Sequence, residues 1–184
     1  MKKIIISLMA LSMLFACGPG MRYYTNPAAD LSYIKRVAIL PLHNFTKADL
    51  AHEKIRDVLE TELLQLEAFE VVDRGEVDAV LRELRITSSS DISPSILKKI
   101  SQKLNVQAVL TGAVDEYETE RSGNISLSFV AVSLKLIDAK SAEVIWQISS
   151  SEKGGGALTR LFGVGEKSLL EVGHILIRKC LKTL

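Results

Sequence analysis

The chain has 184 residues, and its 23 lysines and arginines against 22 aspartates and glutamates leave a formal net charge of +1. Both signs are interspersed, which excludes the clustered basic face that a nucleic-acid partner requires. The length points to one domain large enough to bury a substantial core.

Met1, Lys2 and Lys3 precede an almost unbroken apolar run from Ile4 to Leu14, which ends in Phe15, Ala16 and Cys17. A positive start, a greasy centre and a small residue at the end have the form of an export signal. About a dozen apolar residues are too few for the roughly 20 that a permanent bilayer-crossing helix needs. With Leu14 three places before Cys17 and Ala16 directly before it, the segment has the form of a lipobox. Cleavage then falls between Ala16 and Cys17, and the Cys17 thiolate is the nucleophile that takes the lipid. The alternative is a plain signal peptide with a chance cysteine. More than one acyl chain, palmitate among them, at about 0.8 kcal/mol per buried methylene makes a stable membrane anchor. Aspartate directly after the cysteine usually marks retention at the inner membrane; here that place holds Gly18, which points to the outer membrane and a periplasm-facing domain. Removing residues 1–16 takes away Lys2 and Lys3 and no acid, leaving 21 basic against 22 acidic side chains. Only Cys180 then remains, so no internal disulfide can form. In the last helical stretch it reads as a small core hydrophobe.

Residues 17–33 carry Gly18, Pro19, Gly20 and Pro27 without periodicity and read as a lipidated start and short tether, with a single domain over 34–184. Lys35 to Leu42 is a β-branched and aliphatic run ended by Pro41, a buried strand. Asp49 to Leu66 puts Ile55, Val58, Leu59, Leu63 and Leu66 on one helical face. Phe69 to Val72 is a second strand. Asp73 with Glu76 has the spacing of a capping box, opening a helix with Val77, Val80, Leu81 and Leu84 inward. Ser93 and Pro94 start a third helix with Ile96, Leu97, Ile100 and Leu104 buried, which Asn105 stops. Strands over Val106–Tyr117 and Ile125–Ile137 form a hairpin around a polar turn, Glu120 to Asn124. In the second of these the apolar positions change phase, which predicts a bulge near Phe129 to Ala131 or burial on both faces. Asp138 to Ser141 is a further turn, Glu143 to Ser149 a fifth strand, and Glu166 to Leu184 an apolar helix. The order is β-α-β-α-α-β-β-β-α, an α/β fold with helices on a five-stranded mixed sheet.

His43, His52 and His174 lie far apart in sequence, without carboxylate or cysteine partners at ligand spacing, so no metal site and no cofactor are expected. No GxSxG elbow is present, and no nucleophile with its base can be assembled, so the chain does not read as an enzyme. The stretch from Gly154 to Ser168 is glycine-rich, but Glu166 stands directly before Lys167 where a phosphate loop demands glycine, which excludes a nucleotide. The same stretch carries Leu161, Phe162 and Val164, read either as part of a flexible loop or as a short apolar patch for a partner or lipid.

The succession KRVAILPLHNF, LLQLEAFEVVDRGEVDAVLRELRI, KISQKLNVQAVLTGAVDEYE and VAVSLKLIDAKSAEVIW resembles the lipoprotein superfamily of the curli secretion channel CsgG, from about Lys35 to the C-terminus. The resemblance implies a fold related to the anticodon-binding domain and to the N-terminal domain of TolB, in an outer-membrane lipoprotein of the envelope-assembly type. Channel-forming members carry long membrane hairpins and a constriction loop after the first strand. Here Leu42 to Asp49 is short, with His43, Asn44 and Phe45 near the constriction's place, and Glu120 to Asn124 leaves no room for a spanning hairpin. A second branch, LpoB, activates a peptidoglycan synthase through a long disordered tether, where the tether here is short. The expectation is a lipid-anchored, non-catalytic scaffold or accessory subunit in envelope assembly or secretion, partnered by another protein or by copies of itself. An LpoB-like regulator of a periplasmic peptidoglycan enzyme is the alternative. Cys17→Ser moves the protein from the membrane to the soluble periplasmic fraction, checked by fractionation and immunoblot.

Overall fold

The computed structural model describes residues 21–86, 92–122, 125–155 and 165–184. Its strands are β1 (Arg22–Thr25), β2 (Arg36–Ile39), β3 (His43–Asn44), β4 (Glu70–Val71), β5 (Ala108–Ser122), β6 (Ile125–Asp138) and β7 (Val144–Lys153). Its helices are α1 (Ala51–Gln65), α2 (Arg74–Glu83), α3 (Pro94–Leu104) and α4 (Leu169–Leu181). The sheet runs β1-β7-β6-β5-β2-β4, with β3 beside β5 beyond the end of β2. β2 is parallel to β4 and β5, β3 is parallel to β5, and the other pairings are antiparallel. The mixed α/β class is as expected, with seven strands in place of five.

The two added strands were hidden for different reasons. β1 comes from the stretch read as tether, and all four of its residues are exposed. It is held by main-chain pairing to β7, Arg22 opposite Ser149 and Thr25 opposite Trp146, so no buried alternation announces it. β3 is two residues long and follows Pro41, which lacks the N–H a continuous strand needs.

Helix termini follow the local chemistry. Asp73 caps α2, its carboxylate accepting from the Gly75 and Glu76 N–H groups at 2.8 and 3.3 Å. The Glu76 carboxylate turns to Arg36, 3.5 Å away. Ser93 caps α3 ahead of Pro94, and Asn105 ends it in the left-handed conformation at φ 51°. Ser168 caps α4. Leu66, inward by spacing, follows the last turn of α1 and is exposed.

α1 and α4 cover one sheet face. Ile55, Val58, Leu59, Leu63, Val172, Leu176, Ile177 and Cys180 pack there on Leu110, Val114, Val132, Leu134, Leu136, Trp146 and Ile148. Burial pushes the Cys180 thiol up to about 11, so it stays neutral inside this core. α2 and α3 cover the other face only over β2 and the start of β5, where Val77, Leu81, Leu97, Ile100 and Leu104 meet Ala38, Leu40 and Val109. The rest of that face, across β5, β6, β7 and β1, carries no helix among the described residues.

The expected bulge lies across the ladder from its predicted place. In β6 every second residue from Ser128 to Asp138 is buried without a change of phase. The register shift is in β5 between Val114 and Glu116, opposite Val132 and Ala131. The extra residue, Asp115, flips the alternation, so Val114 and Tyr117, three apart, both face the large core. The polar run read as a turn from Glu120 is strand as far as Ser122, which pairs with Ile125. Beyond the helix layers these strands form a two-stranded ribbon, and its exposed position accounts for the polar sequence.

At the opposite end, Asp138 holds the β6–β7 turn. It accepts from the Ser141 N–H at 2.9 Å, the Ser141 hydroxyl at 2.7 Å and the Tyr33 hydroxyl at 2.5 Å. Burial pushes this carboxyl up, but the hydrogen bonds outweigh it and hold it below the usual aspartate value. Burial and Asp138 together push the Tyr33 hydroxyl up to about 12.

A Cβ at Gly112 would lie 2.0 Å from the Ser133 carbonyl oxygen, so β5 and β6 approach there as only glycine allows. Gly112→Ala should cost about 2 kcal/mol, lowering Tm by several degrees in a thermal melt.

Candidate protein-interaction surface

Leu40 donates to the Leu110 carbonyl at 2.9 Å, Pro41 breaks the ladder, and the chain rejoins β5 as β3, His43 opposite Ala113. Asn44 then wires the following loop. Its Nδ2 donates to the Ala48 carbonyl at 2.8 Å, and its Oδ1 accepts from the Thr46 N–H at 3.1 Å and the Thr46 hydroxyl at 2.8 Å. Between these anchors the Phe45 N–H donates to the Val114 carbonyl at 3.0 Å. The result is a rigid backbone that leaves the Phe45 side chain 71% exposed, its ring stacked on His43 with centroids 5.9 Å apart. Leu50, just before α1, is also exposed. Covering such a phenylalanine contributes about 2 kcal/mol, and a loop ordered in advance adds little entropic cost on binding.

Past Val114 no strand pairs with the outer edge of β5 among the described residues. That free edge carries exposed Glu116, Glu118 and Glu120 beside Phe45, a surface able to accept an added strand.

The predicted site residues fall in two groups. Ala16, Cys17, Leu161, Phe162 and Val164 lie outside the described residues. His43, Asn44 and Phe45 do come together, as a display loop on β5. The three histidines stay apart: His43 on β3, His52 beside Glu53 at 3.3 Å on α1, and His174 on α4.

Two charged clusters were missed by sequence reasoning. Arg56 is buried in α1, donating to Asp78 and to the Ile39 carbonyl, both at 2.9 Å. Arg74 binds Asp57 at 2.6 Å and also pairs with Glu53. These contacts staple α1 to α2 around the short β4 edge. Glu62 has a side chain 3% exposed and receives Arg178 in a bidentate pair at 2.8 and 2.9 Å, with His174 Nδ1 at 2.8 Å. A signal existed: Glu62 stands four and three residues after Val58 and Leu59 on the buried stripe, and His174 and Arg178 are one helical turn apart. The Arg178 hydrogen bonds hold the Glu62 carboxyl below its ordinary 4.5, against the opposing effect of burial.

The chain is thus a mixed sheet with helix pairs on its two faces and an exposed, hydrogen-bonded aromatic loop at one rim. Residues 21–151 match the family described as peptidoglycan-synthase activator LpoB, and the chain belongs to that family. Its members are activators rather than enzymes, and an accessory role in cell-envelope assembly fits the membership. Among solved structures the chain is similar to the PelC dodecamer from Paraburkholderia phytofirmans, at 18% identity and TM-score 0.61 over 90% of this chain and 98% of that one. It is also similar to lipoprotein GNA1162 from Neisseria meningitidis, at 20% identity and TM-score 0.57 over 70% and 90% of the two chains. At these identities the likeness shows the fold. No curated protein matches. The LpoB branch of the resemblance is thus the supported one, and the curli-channel branch finds no support here.

The lowered Glu62 value fixes the sign of a pH effect. Its stabilisation is present above the unfolded value near 4.5 and is lost as pH falls through the folded value. Glu62→Gln should therefore lower Tm at pH 7, with the gap from wild type closing as melts are taken below pH 4.

Proposed function

We propose that this chain is a lipid-anchored activator of a peptidoglycan-building enzyme, on the periplasmic face of the outer membrane, that grips its partner through the Phe45 loop. The exposed, pre-ordered Phe45 ring carries the reading, because an aromatic anchor on a fixed backbone is the usual centre of a protein contact. Family membership supplies the class of partner. The N-terminal division belongs to the same proposal: residues 1–16 are removed, Cys17 takes the lipid, and the domain works as one unit. Leu161, Phe162 and Val164 are a second apolar contact for partner or lipid.

The anchor sets where the partner is met. Residues 18–21 alone separate Cys17 from β1, and four residues span at most about 14 Å. A domain so held works at the membrane surface, with exposed Tyr23 and Tyr24 close to the lipid headgroups. Its enzyme must come to that surface, a geometry opposite to that of a long-tethered activator.

A second reading, a ring-forming scaffold, is favoured by the likeness to a protein solved as a dodecamer over nearly its whole length. A photo-crosslinking amino acid at position 45, activated in intact cells, separates the two. An adduct with a peptidoglycan synthase supports the activator. A ladder of self-adducts supports the scaffold, and no adduct at all removes Phe45 as the contact.

A further inference from the structure

The helix-free part of the sheet presents two rows of side chains that run across the strands. In one row Thr111, Lys135, Gln147 and Tyr24 are successive cross-strand partners on β5, β6, β7 and β1. In the next, His43, Ala113, Ser133, Ser149 and Arg22 stand opposite one another in the same way. Directly opposed residues share a face, and strands lie about 4.8 Å apart, so the four-strand row is about 14 Å long.

At the centre is a shallow pocket of about 280 Å³, bounded by His43, Thr111, Ser133, Lys135 and Gln147. Ser133 is engaged, donating to Asp115 at 2.7 Å and touching Ser149 at 3.1 Å. The side chains of Thr111, Lys135 and Gln147 make no hydrogen bond among the described residues, and Lys135, half-buried, has no carboxylate within ion-pair distance there. An ammonium without its counter-charge, flanked by an unpaired hydroxyl and an unpaired amide, is an incomplete electrostatic arrangement that an anionic, hydroxyl-rich ligand completes. The two rows offer no apolar stripe for a helix, and Lys135 on β6 with Arg22 two strands away on β1 is no patch for nucleic acid or an acidic membrane.

We propose that this face binds a glycan through a carboxylate-bearing amino sugar, Lys135 taking the carboxylate, Thr111 and Gln147 the hydroxyl and amide groups, and the His43 ring bounding one end. The site adjoins the Phe45 loop, whose ring stacks on His43, but its polar groups, Thr111, Lys135 and Gln147, lie on β5, β6 and β7 and do not depend on the Phe45 contact.

The test is saturation-transfer NMR on the full-length protein in mild detergent, with the disaccharide of N-acetylglucosamine and N-acetylmuramic acid as probe and neutral diacetylchitobiose beside it. The expected result is transfer to the acidic disaccharide, weakened about tenfold in Lys135→Gln and retained in Lys135→Arg, with unchanged melting temperatures for both variants. No transfer at millimolar sugar overturns the proposal, as does equal binding of both sugars with Lys135→Gln unaffected. Ala113→Trp, which fills the pocket, adds an independent arm. A loss of sugar binding at unchanged assembly mass supports the glycan site. A fall in assembly mass with no sugar effect makes the face a contact between copies of the chain, and overturns it.

Discussion

The fold depends on β5. It is the one strand that pairs with β2, β3 and β6, and its first residues feed both hydrophobic cores, Ala108 and Leu110 on one side and Val109 on the other. Burial on both faces explains the uninterrupted aliphatic start of β5. From Thr111 onward only one face still meets helices, and past Asp115 the sequence changes to alternating Glu, Tyr and Thr. The bulge at Asp115 lies where the aliphatic part of β5 gives way to its polar, surface part.

That boundary explains what was legible from residues alone. α2 and α3 were clear because each declares itself twice, by an inward stripe and by a chemically specific end: Asp73, the Ser93–Pro94 pair, Asn105; α1, with Leu50 at its N-cap and no side-chain cap, was read from its stripe alone. The central strands were clear from their hydrophobic runs. Strands held mainly by their backbone were not, since β1 and the outer ribbon bury too little to leave a pattern. The bulge was misplaced onto β6 because side-chain alternation records which residues are inside, whereas the strand that absorbs the extra residue is decided by pairing across the ladder.

The candidate surfaces were legible to a different degree. The Phe45 loop was found by position, after the first strand, but its rigidity rests on Asn44 and Thr46 contacts that no spacing rule specifies. Thr111, Lys135 and Gln147 are 24 and 12 residues apart in the chain, and only the register of two hairpin pairings makes them a row. The buried Glu62 was hidden by its own chemistry, since an acid among leucines on a helix reads as solvated until its partners on a distant helix are known.

The sheet has two ends, and they are guarded differently. At β4 the strand is two residues long and the Arg56 and Arg74 contacts tie the helices around it, so little main chain is offered to a foreign strand. At β1 nothing comparable stands outside the strand among the described residues. On the proposed lipidation of Cys17, this edge would be drawn against the bilayer, whose headgroups would leave no space for another sheet to dock. The proposed acyl anchor would then double as a safeguard against edge-to-edge aggregation, and a form of the protein without it would carry an unprotected strand into solution.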